Sequence, residues 1–250
     1  MRRLLSRKPK KRDGFASFLH LAFTIAIPTL IYIFVRIDIA QLAILTIILS
    51  KWRMFAVRPR YWIINLQSNA ADILVGVSLI VFMTQTASTL WQLIWAVAYA
   101  AWLLLIKPIS SIFGISVQAF ISQVAGLLAV YMVWGGAEAY VLILAVWTVN
   151  FVASRHFFTG FDEPYTKFLS NTWALFGASL AWLTSHWLLY YGIISQPTLL
   201  LLVMAFGIGS MYYLDRNDKL TNLYRNQFIF IMGLVVLVVL FLSDWSDKAL

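Results

Sequence analysis

The sequence predicts an all-α, polytopic membrane protein built as a single bundle of about nine transmembrane helices. Of its 250 residues, 62% are apolar and only 12% are charged, and the mean hydropathy is +0.82. A soluble domain averages about 45–50% apolar and about 25% charged residues, so one aqueous core cannot bury this much apolar surface. The composition therefore excludes secreted enzymes, cytosolic enzymes and disordered chains.

Nine apolar segments are long enough to be membrane helices, because one crossing needs about 20 mostly apolar residues. They are residues 15–35, 38–57, 61–84, 89–106, 110–133, 137–154, 168–190, 197–214 and 226–243. The first follows a basic stretch, as in a signal peptide, but its length and the lack of a small-residue cleavage site predict that it is retained. The second is interrupted by Lys51 and Arg53, and it spans the membrane if both side chains extend to the cytoplasmic surface.

The basic residues predict that the amino terminus is cytoplasmic and the carboxyl terminus is outside. Seven of the 19 Lys and Arg residues lie in the first twelve positions, and nine spans leave only Arg36 and Lys248 on the outer side. This distribution follows the positive-inside rule. The predicted organisation is a basic cytoplasmic segment at 1–14, one transmembrane domain at 15–243 and an extracytoplasmic tail at 244–250.

The basic amino terminus also predicts a partner, the anionic lipid headgroups of the bilayer. No loop is long enough to build a basic surface for nucleic acid. Short loops and a basic amino terminus are typical of a bacterial inner (plasma) membrane protein. A protein partner or a homo-oligomer is compatible with this organisation.

Catalytic and metal-binding motifs are not recognisable in the sequence. There is no cysteine and there are three scattered histidines, which disfavours zinc, iron–sulfur and thiol chemistry, so we expect no cofactor. The acidic pairs at Asp162–Glu163 and Asp215–Asp218 are shorter than aspartate-rich magnesium motifs, and we interpret them as solvated loop charge. The sequence therefore favours no enzyme class. A membrane enzyme of lipid chemistry is a possible function that ranks below the two functions given at the end of this section.

Asp72 is the main candidate for a functional residue, because an ionisable group at membrane depth costs about 2.5–3.5 kcal/mol. It lies eleven residues beyond Tyr61, about 16 Å along a helix, which places it near the bilayer centre. The same helical face carries Asn65, Asn69 and Gly76. This face predicts a substrate-binding or pore-lining site. Alternatively, residues 59–69 form an amphipathic surface helix and Asp72 begins the span in water.

Small and polar residues recur every four positions in the fifth predicted span. They are Gly114, Gln118, Ser122 and Gly126. This spacing is typical of close helix–helix packing, and Gln118 is a further candidate for the polar site. A single asparagine in the sixth span, Asn150, is interpreted as an interhelical hydrogen-bonding residue.

These patterns predict a small permease or channel-like transporter with its polar site on the third helix. The alternative is a non-catalytic scaffold or accessory subunit of a cell-envelope complex. The scarcity of other charges within the spans favours the alternative, because ion-coupled carriers usually contain several.

Overall fold

The apolar segments of the sequence form a series of helices in the computed structural model, which describes residues 14–52 and 56–242. The α-helices of this part of the chain are α1 (Gly14–Arg36), α2 (Ala40–Ser50), α3 (Trp62–Thr84), α4 (Thr89–Ala101), α5 (Ile112–Trp134), α6 (Ala139–Gly160), α7 (Thr166–Thr184), α8 (Gln196–Arg216) and α9 (Asn222–Leu242). The predicted all-α class is confirmed. Most of the predicted basic segment at 1–14 and the whole predicted tail at 244–250 lie outside the described residues.

Short irregular elements interrupt the helical pattern of the described chain at four places. A 3₁₀ turn at Pro59–Tyr61 precedes α3, a π-helical segment at Trp102–Ile106 continues α4, and a second 3₁₀ turn at Ser185–Trp187 follows α7. Two antiparallel strands, β1 (Tyr190–Tyr191) and β2 (Ile194–Ser195), then form a small hairpin. The hairpin turns at Gly192, whose φ of 67° suits glycine.

Within the described residues, six helical stretches are long and apolar enough to cross a membrane, which indicates a multi-pass membrane protein. They are Pro59–Thr84, Thr89–Ile106, Ile112–Trp134, Ala139–Gly160, Gln196–Arg216 and Asn222–Leu242. With 11 residues, α2 extends only about 16 Å, whereas the hydrocarbon core is about 30 Å thick. The predicted count of nine spans and their orientation remain predictions.

The second predicted segment, 38–57, differs most from the structure. Its helix ends at Ser50, and the next residue, Lys51, is only 9% exposed. The predicted extension of Lys51 to the cytoplasmic surface is wrong, and Arg53 lies outside the described residues. Its ammonium group points into the protein, where it contacts a carboxylate of α3.

Helix α5 packs against α3, α6 and α8. Its predicted packing stripe of Gly114, Gln118, Ser122 and Gly126 is buried. A Cβ atom added to Gly126 would lie 2.7 Å from Val149 of α6 and 3.1 Å from Leu74 of α3. The small residue therefore permits close approach of three helices. At the other extreme, α9 packs mainly on α8, and Val239 is its one buried residue among those described.

Candidate functional site

Asp72 lies in the interior of the bundle, near the middle of α3. It is 6% exposed and follows the first residue of α3, Trp62, by ten positions, about 15 Å along the helix axis. Because α3 is continuous from Trp62, Asp72 is not in a first helical turn. Its depth in the membrane remains a prediction.

Three donors from two other parts of the chain converge on the Asp72 carboxylate. The indole N–H of Trp102 donates to Oδ1 at 2.8 Å, and the ammonium of Lys107 donates to Oδ2 at 2.5 Å. The ammonium of Lys51 also donates to Oδ2. We call these four residues, Lys51, Asp72, Trp102 and Lys107, the Asp72 cluster. The cluster joins the end of α2 and the end of α4 to the middle of α3.

The π-helical segment aligns two members of the cluster. Trp102 and Lys107 are five residues apart, which on a regular α-helix separates them by about 140°. Here the Lys107 N–H donates to the Trp102 carbonyl at 2.9 Å, the i to i−5 hydrogen bond of a π turn. One wider turn therefore brings both side chains to the same carboxylate.

The cluster contains two cations and one anion. The side chains of Lys51 and Asp72 are 9% and 8% exposed, whereas that of Lys107 is 38% exposed. Within the described part of the chain, no second carboxylate pairs with either lysine. With both lysines protonated, the cluster therefore has a formal net charge of +1, and Lys107 is its more exposed lysine.

A buried tyrosine hydroxyl lies beside the face of α3 that carries the cluster. Tyr99 is 0% exposed, and its hydroxyl has no hydrogen-bond partner among the described residues. A Cβ atom added to Gly76 would lie 2.9 Å from this oxygen and 2.8 Å from Ile47. Because Asp72 and Gly76 are four residues apart on one helix, the free hydroxyl lies about one turn from the carboxylate.

Gln118 of α5 fixes the backbone next to the cluster. Its amide nitrogen donates to the carbonyl oxygens of Ile106 at 2.8 Å and Ile109 at 2.9 Å, on either side of Lys107. Its amide oxygen hydrogen-bonds to His156 of α6 at 3.0 Å. Gln118 thus supports the turn that carries Lys107, and no hydrogen bond joins it to Asp72.

The two predicted asparagines lie further along the polar face of α3. Asn69 donates to the carbonyl of Asn65 at 2.9 Å, and both side chains are half-buried. Neighbouring Gln67 accepts a hydrogen bond from Arg155 of α6 at 2.6 Å. The structure therefore brings Asp72, Gly76 and Gln118 to one region, and the pore-lining role of all five predicted residues remains a prediction.

The two lysines, Trp102 and Tyr99 were not predicted as site residues. The sequence does predict that some basic residue pairs with Asp72, because a buried carboxylate in a membrane bundle needs a positive partner. Lys51 and Lys107 both lie at ends of helices on the side assigned to the cytoplasm, so the sequence alone identifies them only as topology signals.

A second feature of the bundle is a cavity of about 690 Å³ between α5, α6 and α7 on one side and α8 and α9 on the other. Aromatic side chains dominate its wall, among them Phe120, Trp173 and Phe206. The carboxylate of Glu163 accepts a hydrogen bond from Tyr212, another wall residue, at 2.5 Å and pairs with Arg216. Glu163 is thus ion-paired, unlike the solvated loop charge that the sequence indicated.

Neither the Asp72 cluster nor the cavity contains a candidate metal site, since the described residues include no group of three or more His, Cys, Asp or Glu side chains that could hold a metal ion. Comparisons with family models, with curated proteins and with solved structures find no match for this chain.

Proposed function

We propose that the protein is a small permease or channel-like transporter whose gate is the Asp72 cluster. The observation that carries this proposal is a buried carboxylate shared by two ammonium groups from different helix ends. Charged groups inside a membrane bundle are costly, and they commonly mark solute or ion pathways.

The cluster has a property of a gate because it is an electrostatic contact between the ends of two helices and the middle of a third. In the described conformation it holds the end of α2 and the π turn after α4 against α3. Separating these elements leaves a buried charge without a partner, which costs about 3–5 kcal/mol. Entry of water or a charged solute offsets this cost, so opening and solute entry are coupled.

The scaffold alternative is favoured by one observation. Helix α9 buries a single described residue, Val239, and exposes large apolar side chains such as Phe230 and Phe241. A helix of this kind packs against lipid or against another membrane protein. If the scaffold alternative holds, the Asp72 cluster serves only to hold α2, α3 and α4 together.

An osmotic swelling assay separates the two functions because it can screen many solutes in parallel. Proteoliposomes are mixed with a panel of small uncharged solutes and salts, and light scattering follows their re-swelling. The transporter proposal expects faster swelling than in protein-free vesicles for at least one solute. The double variant Lys51→Met/Asp72→Asn keeps the net charge of the cluster at +1 and removes its most buried ion pair, so it should lose this swelling.

The matched control is Gln123→Leu/Asn150→Leu, which removes another buried polar pair, joined by a 2.7 Å hydrogen bond between α5 and α6. We expect this variant to swell like the unmodified protein. Thermal unfolding in detergent verifies that both double variants fold. Swelling no faster than that of empty vesicles across the panel rejects the transporter, and unchanged swelling of Lys51→Met/Asp72→Asn rejects the cluster as its gate.

A further inference from the structure

We infer that the Asp72 cluster is a binding site for a small monovalent anion, of the size of a halide or a formate ion. In the described conformation, the Asp72 carboxylate, as a tethered anion, makes the contact with Lys107 that the bound anion replaces. The inference rests on the proposed function in one respect, since it names the class of solute that the gate recognises.

The groups around the Asp72 carboxylate are donors without acceptor capacity. An ammonium group and an indole N–H donate hydrogen bonds and accept none, and the carboxylate receives two of the former and one of the latter. Three converging donors with positive charge are a suitable environment for a carboxylate or a halide. They are unsuitable for a metal cation, which requires oxygen, nitrogen or sulfur ligands.

The charge count leaves room for one more anion. Lys51 and Lys107 carry two positive charges against the single negative charge of Asp72. An exchangeable anion that contacts Lys107 brings the cluster to neutrality, while Asp72 keeps its contacts with Lys51 and Trp102. We assign the entering anion to Lys107, because its side chain is 38% exposed whereas that of Lys51 is 9% exposed.

The unpartnered hydroxyl of Tyr99 is an independent observation that points to a ligand. Buried polar atoms are almost always hydrogen-bonded, so an exception needs an explanation. Tyr99 is fully buried and its hydroxyl lies against Gly76, one turn from Asp72 on the same helix face. In the inferred complex, the anion bound to Lys107 extends to this side of the cluster and accepts the hydrogen bond that the protein leaves unmade.

Thermal unfolding of the purified protein tests the site in the absence of transport. Sodium chloride, formate, acetate and gluconate are compared at constant sodium concentration. Chloride or formate should raise Tm saturably relative to gluconate, by roughly 5–10 °C at 100 times Kd. Acetate has the same carboxylate as formate and is larger by one methyl group. A Tm shift with both ions therefore indicates recognition of the carboxylate, and a shift with formate alone indicates a size limit.

Two single variants distinguish binding from a general salt effect. Tyr99→Phe removes a hydroxyl that has no partner among the described residues, so Tm in gluconate should not fall, whereas the shift in chloride or formate should shrink. Lys107→Gln should also reduce the shift, and it leaves the buried pair of Lys51 and Asp72 intact. An equal Tm in all four salts, or a full shift in both variants, overturns the inference.

Asp72→Ala vacates the position of the tethered anion. Its Tm in gluconate should be lower than that of the unmodified protein, because Lys51 loses its partner, and formate should restore Tm saturably. Failure of formate to restore a folded Asp72→Ala protein contradicts the inference. If this variant does not fold, the Tyr99→Phe and Lys107→Gln comparisons decide the question.

Failure of this inference is distinguishable from failure of the proposed function. An anion-dependent Tm shift without any solute-dependent swelling keeps the anion site and rejects the transporter. Swelling that depends on Lys51 and Asp72 without any anion-dependent Tm shift keeps the transporter and rejects the anion site.

Discussion

At the scale of single residues, Asn150 is the side chain that connects three helices near the middle of the bundle. It accepts a hydrogen bond from Gln123 of α5 at 2.7 Å and donates to Val146 of its own helix at 2.8 Å. It also lies against Gly177 of α7, where an added Cβ atom would be 2.6 Å from the Asn150 amide nitrogen. The prediction of an interhelical asparagine is confirmed. Its contact with a glycine of α7 could not be predicted, because the sequence of each helix alone does not show how α6 and α7 pack against each other.

Replacement of Gly177 by alanine should destabilise the protein by about 1–3 kcal/mol. The new methyl group must displace the Asn150 amide, which two hydrogen bonds hold in place. Reversible unfolding in mixed detergent micelles measures the change. The matched control is Gly233→Ala in α9, where nothing lies within 4 Å of the added atom. There the variant should be neutral or more stable by roughly 0.5–1 kcal/mol.

A second substitution tests whether Asn150 causes the destabilisation by Gly177→Ala. In an Asn150→Ala background, the Gly177→Ala change should cost far less, because the amide that it displaces has been removed. A Gly177→Ala penalty that is the same in both backgrounds would show that Asn150 is not the group displaced.

At the scale of elements, apolar length predicts the approximate position of each described α-helix, and long-range contacts lie at the ends of two of them. The predicted segment 61–84 and helix α3, Trp62–Thr84, agree to within a residue, because hydropathy along one segment is a local property. Helix α2 stops at Ser50, and the side chain of the next residue, Lys51, contacts a carboxylate 21 residues later. The π turn at Trp102–Ile106 serves the same carboxylate. These contacts involve a residue elsewhere in the chain, so the sequence of each helix alone does not predict where it ends.

Deletion of Leu105 tests whether the π turn is what assembles the Asp72 cluster. Removing one residue converts the wide turn into a regular one and rotates Lys107 by about 100°, away from Asp72. The expected result is a lower Tm and loss of the anion-dependent Tm shift. Leu105→Ala is the control, since this side chain is 68% exposed and its truncation preserves the turn. A deletion variant that keeps the full anion-dependent shift would show that Lys107 reaches Asp72 without the π turn.

At the scale of the whole molecule, the candidate site could be predicted only in part from the sequence. Asp72, Gly76 and Gln118 were predicted from the face and spacing of polar residues within single helices, and the structure places all three in one region. The lysines could not be assigned to that region, because a basic residue at a helix end equally satisfies the positive-inside rule. Only the packing of α2 and α4 against α3 distinguishes a surface lysine from one that turns inward.

The topology of the bundle depends on whether short α2 carries the chain across the membrane. Arg36, at the end of α1, hydrogen-bonds to Gln92 near the start of α4 at 3.4 Å, whereas Lys51, after α2, reaches Asp72. Helix α2 therefore leads from one end of the α3–α4 hairpin towards the other. Its 11 residues extend only about 16 Å, so a crossing requires flanking residues or a locally thinner bilayer.

Single-cysteine labelling decides this point, and the absence of native cysteine makes every label specific. Cysteines at Ile37 and Ala87, both exposed between helices, should react with an impermeant maleimide from the outer side, because α2 and α3 together return the chain to that side. A cysteine at exposed Lys219 should react only after permeabilisation, in agreement with the positive-inside rule. Labelling of Ile37 and Ala87 from opposite sides would mean that α2 does not cross. In that case eight spans would place both termini on one side of the membrane. Lys51 would then reach Asp72 from a helix that enters the membrane without crossing it.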